Sequence, residues 1–117
     1  MNDSDLRPRT KLFALRIVRL YVRLPKSSEA QVIGKQLLRS GTSVAANYRE
    51  SCRARSTAEM IAKLGIVEQE LDESMLWLEL LGDAEIVQSE LLCEILEEAE
   101  QLLKMTVSSI KTLKARR

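Results

Sequence analysis

The sequence predicts an all-α fold, an antiparallel up-down-up-down four-helix bundle formed by residues 1–117 as a single domain, on three observations. Apolar residues recur at three- and four-residue steps through four successive segments, the signature of helices with one buried face. The stretches between those segments are short, which makes consecutive helices antiparallel neighbours. The composition is 45% hydrophobic and 30% charged with only two Pro and four Gly, which argues against both disorder and an all-β fold.

The first helix is expected over about 7–24. Pro8 is tolerated in its first turn and Pro25 ends it. Phe13, Ile17, Leu20 and Leu24 form its apolar stripe, while Arg9, Arg16, Arg19 and Arg23 share another side. The second helix is expected over about 28–53, with a capping hydroxyl and an early acid supplied by Ser28 and Glu29. Ser56 followed by Glu59 fits a capping box and opens a third helix over about 57–81. Met60, Leu64, Val67, Leu71, Met75 and Leu78 are its stripe, broadened by Ile61, Leu76 and Leu80, and Gly82 is its expected stop. The fourth, over about 89–115, repeats Leu92, Ile95, Ala99, Leu102, Thr106, Ile110 and Leu113, the seam of an antiparallel bundle.

Composition excludes several chemistries. The chain has no histidine, which removes the commonest general base, the usual metal ligand and the Glu-x-x-His signature of di-iron bundles. Cys52 and Cys93 have no metal or redox spacing. No Gly-rich phosphate loop or Ser-His-Asp set is present. The acidic clusters Glu68, Glu70, Asp72, Glu73 and Glu94, Glu97, Glu98, Glu100 are expected to be mostly solvated helix faces. These observations predict no catalytic residues, no metal and no cofactor. The polar N-terminus and the arginine-interrupted first apolar run predict no signal peptide and no membrane span, hence a cytoplasmic protein.

Net charge is only +1, but its distribution is uneven. Residues 1–55 carry 12 Lys/Arg against 4 Asp/Glu, and residues 56–117 carry 6 against 13. The two halves can neutralise each other within one subunit, or act as complementary flanks between subunits that close into a ring. The predicted topology also collects cations at one pole, where helices 1 and 3 start and helices 2 and 4 end. Arg7, Arg9, Lys11, Arg49, Arg53, Arg55, Lys111, Lys114, Arg116 and Arg117 fall there, with Lys63 beside them. These are the candidate nucleic-acid-binding residues, because clustered cations neutralise several phosphates at once.

The second helix is unusual in carrying two specialised faces. Ile33, Leu37, Gly41, Val44 and Tyr48 follow one stripe; Arg39, Ser43, Asn47 and Glu50, with Ser40, follow a polar neighbour. Gly34, Gly41 and Gly65 each cost about 1 kcal/mol relative to Ala in a helix interior, which close helix approach can offset. The polar set reads as a structural or interface motif that fixes register, with direct nucleic-acid or partner contact as its alternative. Tyr21, Tyr48 and Trp77 are too few for a base-stacking platform and fit the core or an interface, Trp77 by preference an interface.

The run L-L-R-S-G-T-S-V-A-A-N-Y-R-E, Leu37 to Glu50, resembles the segment that marks the four helix bundle protein family. That family includes proteins encoded in intervening sequences of large-subunit ribosomal RNA genes and the accessory variability determinant of diversity-generating retroelements. The resemblance implies a homo-oligomer, a five-subunit ring, and in the retroelement relatives a ring that assists a reverse transcriptase and binds its RNA or DNA. The expectation is a non-enzymatic, ring-forming nucleic-acid-binding accessory protein that uses its basic pole. The alternative is a protein-interaction scaffold that binds no nucleic acid.

Overall fold

The computed structural model describes residues 5–116, folded into four helices: α1 (Arg7–Val22), α2 (Ser28–Cys52), α3 (Thr57–Asp83) and α4 (Ser89–Ala115). Each helix packs on the next in the chain, and α4 closes against α1 through the least extensive interface of the four. The result is an antiparallel up-down-up-down bundle with extents of 48 × 22 × 21 Å.

The helix ends follow local chemistry. Pro8 occupies the first turn of α1, where a missing N–H costs no helical bond. Leu6 caps that end without a side-chain acceptor, so its N–H donates instead to Tyr48 Oη of α2 at 3.0 Å. α1 stops at Val22, two residues short of the expected end, because Pro25 disfavours helical backbone at Leu24. The residue capping α2 is Ser27 rather than Ser28, and neither hydroxyl caps it. At α3 the expected box forms on its serine side, with Ser56 Oγ accepting the Glu59 N–H at 3.0 Å. Gly82 does not end α3. The helix continues to Asp83, and Glu85, at φ 59°, takes the left-handed position while Ile86 and Val87 donate to the Leu81 carbonyl.

The core runs the length of the bundle through Phe13, Ile17, Leu37, Val44, Leu71, Leu78 and Leu102, all fully buried. Two glycines set the α1–α2 distance. A Cβ on Gly41 would stand 2.8 Å from Ile17 Cγ1, and one on Gly34 2.5 Å from Leu24 Cδ1. Gly65 faces open space, so close approach does not account for it. Leu76, expected to broaden the α3 stripe, is instead 48% exposed. Trp77 is half-buried against the core. Among the described residues, its Nε1 is a buried polar atom without a partner.

Candidate nucleic-acid interface

The antiparallel arrangement brings the start of α1, the end of α2, the start of α3 and the end of α4 together. Side-chain contacts then divide the cations of that pole into two groups. Arg7 is held by Asp5 at 3.0 Å, and Lys63 by Glu50 at 2.7 Å. Arg9 turns along the α1–α4 seam and donates twice to Glu98, at 2.6 and 3.1 Å, with Gln101 Oε1 and Met105 Sδ each 3.2 Å away. In each case the hydrogen bond that the cation donates to the carboxylate raises the cation's pKa above its ordinary value. The same bond holds the Asp5 carboxyl below its usual range.

The second group has no acidic partner among the described residues. Lys11, Arg49, Arg53, Arg55, Lys111, Lys114 and Arg116 are all exposed. Arg117 lies outside the described residues. Against these seven cations stands Glu59, in the first turn of α3, so the pole stays electropositive, the condition under which phosphates can replace small counterions.

The polar stripe of α2 lies along the α2–α3 seam. Arg39 reaches Glu70 at 3.3 Å and Glu73 at 3.0 Å on α3. Ser40 Oγ meets Ser74 Oγ at 2.8 Å in the core. Asn47 donates back to the carbonyl and hydroxyl of Ser43 within α2, and Glu50 takes Lys63. Two members of the mostly solvated acidic clusters are taken up by the seams: Glu70 is buried against Arg39, and Glu98 is half-buried beneath Arg9. With Arg16 and Glu94 at 3.9 Å, four ion pairs set an arginine of the basic half of the chain against a carboxylate of the acidic half inside one subunit.

Two further features had no sequence signal of their own. A cleft of about 410 Å³ opens within the basic pole between Tyr48, Met60, Leu64, Ser108, Thr112 and Arg116. At the opposite end, Arg16, Arg19 and Arg23 line a groove of about 680 Å³ over Leu20, Ile86 and Leu91. Both depend on which helix ends meet and how far each helix extends. Among the described residues no group of His, Cys, Asp or Glu is arranged to hold a metal ion, and no helix is long and apolar enough to cross a membrane.

Comparison with known proteins places this bundle. The model of the family described as 23S rRNA-intervening sequence protein matches residues 2–108. The chain belongs to this family. A crystal structure of a protein of unknown function from the S23 ribosomal protein family of Bacteroides thetaiotaomicron is 39% identical. It superposes with a TM-score of 0.86 over 92% of this chain and 99% of that one. No curated protein matches. Membership in the 23S rRNA-intervening sequence protein family accords with the resemblance carried by Leu37 to Glu50, and brings no enzymatic family with it.

Proposed function

We propose that this chain is a non-enzymatic accessory protein that assembles into a homo-oligomeric ring, five subunits by family resemblance, and binds RNA or DNA through its basic pole. The observation that carries the nucleic-acid reading is the set of seven exposed cations left without an acidic partner among the described residues. The ring draws support from α1, which buries Phe13 and Ile17 on one side and exposes Leu12, Leu15, Val18 and Val22 on the other. An apolar stripe of that kind is a surface for another chain. The retroelement resemblance adds a reverse transcriptase as the candidate protein partner, which co-purification tests.

The test of binding is a gel-shift titration at low salt against single-stranded and duplex RNA and DNA. Arg53→Glu with Arg55→Glu should abolish the shift, and unchanged affinity would remove the pole as the binding surface. Native mass spectrometry tests the ring, and a monomer at micromolar concentration and moderate salt would refute it. A protein scaffold without nucleic-acid binding is the second reading. The arginine-lined apolar groove favours it, since three cations over an apolar floor suit an acidic, amphipathic segment.

A further inference from the structure

We propose that the cleft at the basic pole receives one unpaired nucleobase, so that the nucleic acid held there is single-stranded or presents a base displaced from its stack. This rests on the reading of the pole as a nucleic-acid interface and adds which form of nucleic acid it takes.

The cleft exists because α1 is short. Arg9 lies beside Gln101 and Met105, whereas α4 continues to Ala115, ten residues and about 15 Å further on. α1 begins at Arg7, and past that point it does not cover the seam between the end of α2, the start of α3 and the end of α4. The opening, about 410 Å³, falls within the size range of small-ligand sites.

Its lining suits a flat heteroaromatic ring. Met60, Leu64 and Leu113 give an apolar floor beside the Tyr48 ring, and the Met60 thioether adapts to a planar surface. Ser108 and Ser109 stand at the rim, and their hydroxyls have no hydrogen-bond partner among the described residues. A hydroxyl both donates and accepts, so this rim can meet the amino or the carbonyl edge of a base. Thr112 already donates to the Ser108 carbonyl and keeps its lone pairs for an incoming donor. Arg116 lines the same cleft, and exposed cations continue along the neighbouring helix ends. An apolar slot inside a field of unpaired cations matches a polyanion with detachable rings, the combination that binds single strands.

The experiment is fluorescence anisotropy on the full chain with a single-stranded RNA of about twelve nucleotides and with a hairpin duplex of the same composition. The single strand should bind about tenfold more tightly or better. Ser109→Phe, which fills the cleft, should lower single-strand affinity by about fivefold and leave duplex affinity unchanged. Ser108→Phe, at an exposed rim position, should do the same and guards against a folding defect in the first variant. A 4-thiouracil base in the strand should photocrosslink to Met60 or Leu113. Equal affinity for both RNAs, or no effect of either phenylalanine, overturns the base site while the pole stands if Arg53→Glu with Arg55→Glu still abolishes binding. Binding of neither RNA, nor of a single-stranded or hairpin DNA of the same sequence, overturns the pole and the cleft together.

Discussion

Ser40 Oγ on α2 and Ser74 Oγ on α3 lie 2.8 Å apart with both residues fully buried. Three contacts compete for two hydroxyl hydrogens, because Ser74 also reaches the Glu70 carbonyl at 2.8 Å and Ser40 the Leu37 carbonyl at 3.3 Å. The shorter contacts win: Ser74 donates to Glu70 and Ser40 donates to Ser74. Ser40→Ala should therefore destabilise by about 1 kcal/mol, and Ser74→Ala by a similar amount because Ser40 can turn back to Leu37. The double variant should cost less than the sum of the two, since one shared bond is lost only once. Urea unfolding of the three variants checks this, and strict additivity would mean that the hydroxyls do not interact. Ser40→Leu, which overfills the seam, should cost more than either alanine.

The glycines of α2 and α3 should respond in opposite directions. Gly65→Ala adds a methyl group to open space and should stabilise by up to about 1 kcal/mol through helix propensity. Gly41→Ala drives a methyl against Ile17, whose branched Cβ also lies 3.1 Å away and cannot swing aside. That change should destabilise by roughly 1–3 kcal/mol. Gly34→Ala meets the far end of Leu24 and should fall between the two. Thermal melts rank them, and a destabilised Gly65→Ala would contradict the open face.

Much of this architecture was legible in the sequence, and the exceptions have physical reasons. Periodicity located four helices because the buried positions of α4, from Leu92 to Ile110, repeat at helical spacing without interruption. The tight approach at Gly41 was legible as well, because glycine in a helix interior needs a compensation. The role of Gly82 was misread because the Leu81 carbonyl is satisfied by two later N–H groups, which moves the left-handed residue to Glu85. The commitment of Arg9 to Glu98 was invisible, since it depends on the register of two helices that brings together residues 89 apart in the chain. The cleft was invisible for the same reason: it is the difference in reach between α1 and α4.

Tyr48 links folding to alkaline pH. Burial disfavours the phenolate and lifts its pKa above the ordinary 10.0, against a smaller lowering by the Leu6 N–H. A raised group gives its full stability below the unfolded value and loses it as pH rises through the folded one. Stability should therefore sag above about pH 10, with Lys63 acting in the same direction through Glu50. Tyr48→Phe should cost about 1–2 kcal/mol at neutral pH, by leaving the Leu6 N–H without its acceptor, and should flatten the alkaline sag. Tyrosinate absorbance gives an independent reading: a late-ionising phase in the parent chain should vanish in the variant.

The division of the pole into paired and unpaired cations makes the sharpest prediction about binding. If phosphates replace counterions at the unpaired set, the logarithm of affinity should fall linearly with the logarithm of salt concentration. Its slope should be about 0.7 per single-strand phosphate engaged. Arg53→Ala with Arg55→Ala should lower affinity and reduce that slope by about 1.4, without altering the melting temperature, because both side chains are exposed and neither makes a hydrogen bond or ion pair among the described residues. Arg9→Ala should behave in the reverse way. Its guanidinium is spent on Glu98, so the salt slope should hardly change, while stability should fall by about 1 kcal/mol as the α1–α4 seam loses its double hydrogen bond and the half-buried Glu98 its partner. Salt titrations of affinity and thermal melts, run in parallel on the two variants, separate the effects. Equal slope losses for both would mean that Arg9 leaves Glu98 to meet the nucleic acid, and the paired set would then belong to the binding surface.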